Sequence, residues 1–561
     1  MNRIAWGAVL LIVLGCASAA LASEANYDIE RAIEYLDAVW ASSSLPGGFS
    51  VAIAQDGDVI LEESYGLADE ELGVPISSST VFDFASVAKQ FTGFAVASLV
   101  EQGLLSFDDA IHRYMPELPD FGEAITIRHL LGHTSGIRDW ISLLKLAGHS
   151  TSELIDSDRI LSFLTRQQDL NFAPGERFSY CNTGYVLLAE IVARVTGRPF
   201  GEWARESIFL PLGMESTHFV DDARMPVAGR AKGYTPMPNG VYANRLNGAA
   251  AVGAMSLFST VDDLAKWTIN FRSRAIGSDW LWATMLQSGK LGTGAETGYG
   301  LGLHLAQLEE ASSFGHPGAW AGIVSDVTYF PERDLGIVFV ANRSPSRLDV
   351  VGTLASVFLA QGGATLPVPN AAPAGSNQAS LDDETIDAYL GWYTVQENLV
   401  RIEKPSGRLV AVLPPWETSV RLVPLSDDTF VQEATSDTYS FSEIRDGKAE
   451  RLRIKQGRES YTLQRVEPSL ATMVEVEEYF GEYSSEELST TYRIEVLGDQ
   501  LAVSHSFNEP VHLVRIDTDR YLGDRWWMSE VRFLRSVDGQ VTGMEIDADQ
   551  DRVINLRFWK Q

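Results

Sequence analysis

The chain is poor in cysteine, in positive charge and in long apolar runs. Its 561 residues hold 2 cysteines, Cys16 and Cys181. Removal of an N-terminal leader, argued below, would leave Cys181 alone. An internal disulfide is then excluded, and the fold must be held by its core. Lys and Arg number 44 against 75 Asp and Glu, for a formal net charge of -31 and a pI of about 4.6. Nucleic acid and anionic lipid would repel such a surface, and both are set aside as partners. The 9 histidines show no His-Glu-x-x-His or similar ligand spacing, so no metal is expected and no other cofactor is implied. Beyond the N-terminus no stretch is long and apolar enough for a transmembrane helix.

What is present begins with an export signal over residues 1–22. Arg3 is a short positive region, Ile4 to Leu14 an apolar core too short to span a bilayer, and Ala20-Leu21-Ala22 a small-x-small cleavage site. Val13-Leu14-Gly15-Cys16 also resembles a lipobox, which would tether the protein by a lipid anchor at Cys16. Leu14 is unusual at its place in that pattern, so the freely released form is favoured, periplasmic or secreted. The remaining length calls for more than one domain.

The pattern with most chemical content is Phe84-Ala85-Ser86-Val87-Ala88-Lys89, a Ser-x-x-Lys at the head of an apolar run to Val100. That run predicts a buried helix. On it, residues three apart share a face, so the Lys89 amine can sit beside the Ser86 hydroxyl. A serine hydroxyl needs a base to become a nucleophile, and a buried lysine can lose enough basicity to serve. A second copy, Ser142-Leu143-Leu144-Lys145, shows that the spacing alone decides nothing.

The surroundings decide. A helical pattern over Tyr27 to Trp40 precedes strands around Phe49–Ala54 and Val59–Leu61, joined by an Asp56-Gly57 hairpin turn. Ile125 to Ile137 contains Leu130-Leu131-Gly132-His133-Thr134-Ser135-Gly136. Ser135 is outside any Gly-x-Ser-x-Gly elbow, and His133 reads as structural. Phe172 to Asn182 follows, with Tyr180-Cys181-Asn182 on a loop ahead of an apolar helix closed by Gly197. A decoy, Tyr242-Ala243-Asn244, has no such helix behind it. Gly315-His316-Pro317-Gly318-Ala319-Trp320 then leads into strand patterns at Ile323–Phe330 and Leu335–Ala341.

Ser-x-x-Lys, Tyr-x-Asn and His-x-Gly in this order and context resemble serine β-lactamases and penicillin-binding-protein-like hydrolases. The His133-Thr134-Ser135-Gly136 segment is similar to one in class C β-lactamases, β-lactamase-like esterases and D-aminopeptidases. The resemblance implies an α+β fold: an antiparallel sheet flanked by helices with a helical subdomain, over residues 23–362. It implies Ser86, Lys89 and Tyr180 as catalytic residues. Asn182, His316, Gly318 and Ala319 would bind substrate, the Ser86 and Ala319 N–H groups forming an oxyanion hole. His316 stands where the family's Lys is usual, and would supply charge or a hydrogen bond to substrate or Tyr180. Residues 205 to 275 look like the family's helical insertion.

From Gly362 to Ser380 the sequence turns to Gly, Ala, Pro and Ser, a linker over 363–380. Beyond it runs a repeat of about 91 residues. Tyr389-Leu390-Gly391-Trp392-Tyr393 matches Tyr479-Phe480-Gly481-Glu482-Tyr483, and Arg401-Ile402-Glu403 matches Arg493-Ile494-Glu495. Short alternating strands with Gly and Asp turns predict two small antiparallel barrels, over 381–468 and 472–561. With them the architecture resembles bacterial D-aminopeptidases with lipocalin-like barrels.

The function so implied is an exported serine hydrolase working through an acyl-enzyme on a small peptide or ester substrate. Peptides containing D-residues come first, in the manner of a D-aminopeptidase or a D-Ala-D-Ala carboxypeptidase. A β-lactamase-like carboxylesterase and a silent cell-wall-peptide binder are the alternatives. A loop of the last barrel entering the cleft would suit a substrate's free amine. The sequence sets no oligomeric state.

Overall fold

The computed structural model describes residues 27–360 and 383–561, apart from short stretches at 43–45, 151, 237–241, 309, 344–348, 396–397, 414–417, 433–436, 457–458, 467–475, 499 and 550. The leader, Cys16 and the linker over 363–380 lie outside the described residues.

A seven-stranded antiparallel sheet organises the first part of the chain. Its order is Val74–Pro75, Asp58–Asp69, Gly48–Gln55, Leu335–Ala341, Ile323–Phe330, Ala311–Trp320, His304–Leu308. The central strands are apolar on both faces and read so in sequence. Phe49, Val51 and Ile53, with Ile337 and Phe339, pack under Leu36 and Val39 of the helix at 27–41 and Leu354 and Val357 of the helix Val350–Leu359. The alternate residues Ala52, Ala54, Val338 and Val340 face the other core, with Phe91, Phe94 and Trp267. Strand period two thus supplies two cores from one sheet. At the hairpin turn Asp56 and Gly57 both have positive φ, 52° and 89°, as a two-residue turn matched to strand twist requires.

The second core encloses the helix Ala88–Glu101, buried along most of its length, as its largely apolar sequence demands. Around it stand Trp140–Leu146, Ser157–Leu164, Asn182–Thr196 and Val261–Ser273. The helical insertion expected over 205 to 275 is not seen. Among the described residues there, 205–212 form short helical turns, 218–259 contain only short strands, and Val261–Ser273 is the one long helix. Gly, Pro and Asn between 226 and 253 disfavour helix and explain the difference. The helical part comes earlier, between 111 and 204.

Two closed eight-stranded antiparallel barrels follow, from Gly391–Val395 to Glu459–Val466 and from Gly481–Ser485 to Val553–Lys560. The repeat is visible in register: Gly391 pairs with Ile402, and Gly481 with Ile494. The second barrel shares its core with the hydrolase-like part, while the first has a core of its own.

Candidate active site

Ser86 lies in a single turn, Ala85–Val87, that leads into the helix Ala88–Glu101. Ala85 just before it has φ 48°, a strained conformation for a residue with a Cβ. The Ala85 N–H donates to Asp83 Oδ1 (2.9 Å), and Ser325 Oγ donates to the Phe84 carbonyl (2.9 Å), so the turn is held from both sides. Strand Ala311–Trp320 runs directly against it. A Cβ on Gly318 would stand 2.3 Å from the Phe84 carbonyl oxygen and 3.2 Å from the Ser86 nitrogen. Only glycine allows that approach, which sets the Gly318-Ala319 backbone beside the Ser86 N–H. Pro317 pairs with Asp326 on one side and lies past the residues that pair with His304–Leu308, so its missing N–H breaks no ladder.

Lys89 is fully buried, and its amine has three neighbours: Ser86 Oγ at 3.2 Å, Asn182 Oδ1 at 2.9 Å and the Ala254 carbonyl at 2.8 Å. The Asn182 amide is oriented by its Nδ2, which donates to Asp139 Oδ2 (3.1 Å). Both Asn182 Oδ1 and Ala254 O can only accept. A neutral amine donates its two hydrogens to them and turns its lone pair to the Ser86 hydroxyl. Burial pulls the Lys89 pKa down to about 7; Asp139 opposes this and Arg552 adds to it.

The Tyr180 side chain lies near Ser86, with Lys89 Nζ 4.9 Å from its ring centroid. Burial raises its pKa above the ordinary tyrosine value, against Ser86 and Arg552, so the phenol stays protonated. Its loop is fixed by His133, whose Nδ1 accepts the Cys181 N–H (3.0 Å) and whose carbonyl accepts the Ser179 N–H (2.9 Å). The two rings lie 4.4 Å apart. His133 therefore has the structural place its sequence suggested.

His316 is buried, with both ring nitrogens engaged inside the protein. Nδ1 faces the Pro317 carbonyl (2.5 Å) and Nε2 faces the Tyr299 hydroxyl (3.0 Å). Burial, with His304 and Lys89 nearby, holds the ring neutral. It meets Tyr180 ring to ring, at 5.9 Å; of the charge or hydrogen bond expected of it, the neutral ring leaves the hydrogen bond. Among the described residues no group of three or more His, Cys, Asp or Glu side chains could hold a metal ion.

The structure thus gathers Ser86, Lys89, Tyr180, Asn182, His316 and Gly318 at one place and leaves both decoys outside. Tyr242 and Asn244 lie on a two-stranded ribbon paired with Gly233–Pro236. Ser142 is buried on the helix Trp140–Leu146, where its hydroxyl donates to Asp549 of the second barrel (3.1 Å). Asp139, Ala254 and Arg552 also reach the site, and no spacing in the sequence marks them.

A family model described as Beta-lactamase matches residues 33–361. Penicillin-binding protein 4* of Bacillus subtilis is 25% identical over 411 residues, which span 70% of this chain and 89% of that one. The D-aminopeptidase of Brucella anthropi is 27% identical over 321 residues, 56% of this chain and 59% of its own length. In fold, the octameric penicillin-binding protein homologue of Pyrococcus abyssi superposes with a TM-score of 0.54 at 23% identity, covering 78% of this chain and all of that one. With its sheet, its buried helix behind Ser86 and two barrels appended, this chain belongs to the β-lactamase family.

Proposed function

We propose that the protein is an exported serine hydrolase acting through an acyl-enzyme on amide or ester bonds of peptides containing D-residues. The observation that carries this is the placement of the buried Lys89 amine, 3.2 Å from Ser86 Oγ and held by the acceptors Asn182 Oδ1 and Ala254 O, so that its neutral form has a lone pair left for the Ser86 proton. The D-aminopeptidase and penicillin-binding relatives support the peptide class.

Lys89 takes the Ser86 proton as the serine oxygen attacks the carbonyl carbon. The oxyanion that forms is met by the N–H groups of Ser86 and Ala319, which in such holes contribute orders of magnitude in rate. Tyr180, protonated and near Ser86, gives its proton to the leaving group and regains one from the Lys89 ammonium. Water then enters by the reverse proton path and releases the acid, restoring Ser86.

The test is labelling with a fluorophosphonate and a fluorescent penicillin, comparing wild type with Ser86→Ala, Ser142→Ala and Lys89→Ala. Loss of label in Ser86→Ala and Lys89→Ala, with Ser142→Ala still labelled, is the expected result. A wild type that takes neither probe would overturn the reading in favour of a silent binding protein.

A further inference from the structure

Arg552 stands in the turn between the last two strands of the second barrel, Val541–Ala548 and Val553–Lys560. That turn is bolted into the hydrolase part. The Asp139 N–H donates to the Arg552 carbonyl (3.0 Å), and the Asn171 side-chain amide donates to the Asp551 and Arg552 carbonyls (3.3 and 2.9 Å). Arg177 pairs with Asp551 (2.9 Å), and the Ile554 N–H returns to Asn171 Oδ1 (2.8 Å).

So placed, the Arg552 side chain lies over Tyr180, its Cζ 5.4 Å from the ring centroid. Lys89 is buried beneath the site, whereas the Arg552 side chain is 29% exposed. Of its five N–H donors, one goes to Asp549 Oδ2 (3.1 Å). The acidic groups nearby are already engaged. Asp139 accepts from Ile141 N, Asn182 N and Asn182 Nδ2; Asp549 accepts from Ser142 and Arg552; Asp551 faces Arg177. The site therefore offers an incoming ligand a guanidinium with donors to spare. A ligand's ammonium would meet the Arg552 cation, and its carboxylate a planar fork suited to bidentate binding.

We propose that Arg552 is a specificity residue that binds the free carboxylate of the substrate, one residue beyond the bond Ser86 attacks. This rests on reading Ser86 as the nucleophile, and it selects a carboxypeptidase-type substrate over the free-amine substrate suggested by resemblance.

The experiment is calorimetric binding to the full chain carrying Ser86→Ala, with N-acetyl-D-Ala-D-Ala and its C-terminal amide as probes. The acid is expected to bind about 10–100-fold more tightly than the amide, as a charge-assisted bidentate contact supplies. Adding Arg552→Gln should bring that ratio near one, and Arg552→Lys should retain part of it. An acid no tighter than the amide, a ratio unmoved by Arg552→Gln, or no binding of the acid would each overturn the proposal. The outcome is independent of turnover. Acid binding through Arg552 without covalent labelling of Ser86 would keep Arg552 as a carboxylate site and sink the hydrolase reading on which its place beside the attacked bond rests, whereas labelling of Ser86 without preference for the acid would sink the Arg552 proposal alone.

Discussion

In the first barrel the Tyr393 hydroxyl donates to the Tyr389 carbonyl (2.9 Å), and the Tyr389 ring stacks on Phe441 at 4.3 Å. In the second the Tyr483 hydroxyl donates to the Tyr479 carbonyl (2.7 Å), and Tyr479 stacks on Phe533 at 4.2 Å. The two interiors are built alike, yet their outsides differ. The first barrel meets the second through a small apolar patch, Trp392 and Leu399 against Val514 and Leu522. The second is joined to the hydrolase part by polar groups as well as apolar ones. Arg138 and Glu487 form a 2.6 Å ion pair with side chains 0% and 5% exposed, and Arg138 also donates to Gln167 and the Ile554 carbonyl. Tyr492 and Asn508 donate to the Leu146 and Lys145 carbonyls. One interior pattern thus serves a distal module and a module that reaches the candidate site, and the outward-facing residues separate the two.

The harshest way to break this contrast is to remove each barrel in turn. Deleting residues 476–561 should sharply slow fluorophosphonate labelling without abolishing it, because it uncovers Arg138 and withdraws Arg552 while Ser86 and Lys89 remain. Excising residues 391–466 should leave labelling near the wild-type rate. Equal labelling of the two proteins would end the distinction. Next come Phe441→Ala and Phe533→Ala, each expected to lower the stability of its barrel by about 3–5 kcal/mol in denaturant unfolding. Only Phe533→Ala should also slow labelling. Glu487→Ala strands a buried guanidinium and should cost about 3–5 kcal/mol. The half-exposed pair of Glu403 with Arg401 in the first barrel should be worth no more than about 1 kcal/mol by the same measurement.

Smaller effects sharpen the comparison. Lys89 acts as a base only when neutral, and its pKa lies near 7, so acylation should rise as pH rises through that value. Arg552 is one of the causes of the lowering, so Arg552→Gln should move this limb upward, by up to about one pH unit. No substitution in the first barrel should move it. Ser142→Ala removes one contact between the second barrel and the hydrolase part and should cost about 0.5–1.5 kcal/mol with labelling retained.

Much of this was legible in the chain. Ser86 and Lys89 could be chosen because an apolar run placed them on a buried helix, and Tyr180 because Pro174-Gly175 and the following helix gave it a loop. The barrels were legible from their repeat. The stretch 205–275 was misjudged because family likeness outweighed its own Gly, Pro and Asn, which locally favour turns. Asp139 and Arg552 could not be found from spacing. Asp139 orients Asn182, 43 residues on, and Arg552 reaches Tyr180 from another domain, and local patterns carry no trace of such pairing. The Ser142 copy shows the same limit in reverse, since its local pattern is sound and its partner, Asp549, comes from a distant strand end.

The bond from the Asp139 N–H to the Arg552 carbonyl has a consequence for biosynthesis. At about 5–20 residues per second, translation adds Arg552 roughly 20–80 s after Asp139. Throughout that interval Ser86, Lys89 and Tyr180 can already be packed, while the guanidinium above them does not yet exist. The nucleophile is thus assembled early and its selectivity late, and a nascent chain cut short before the second barrel would carry the reactive serine without the group that chooses its target.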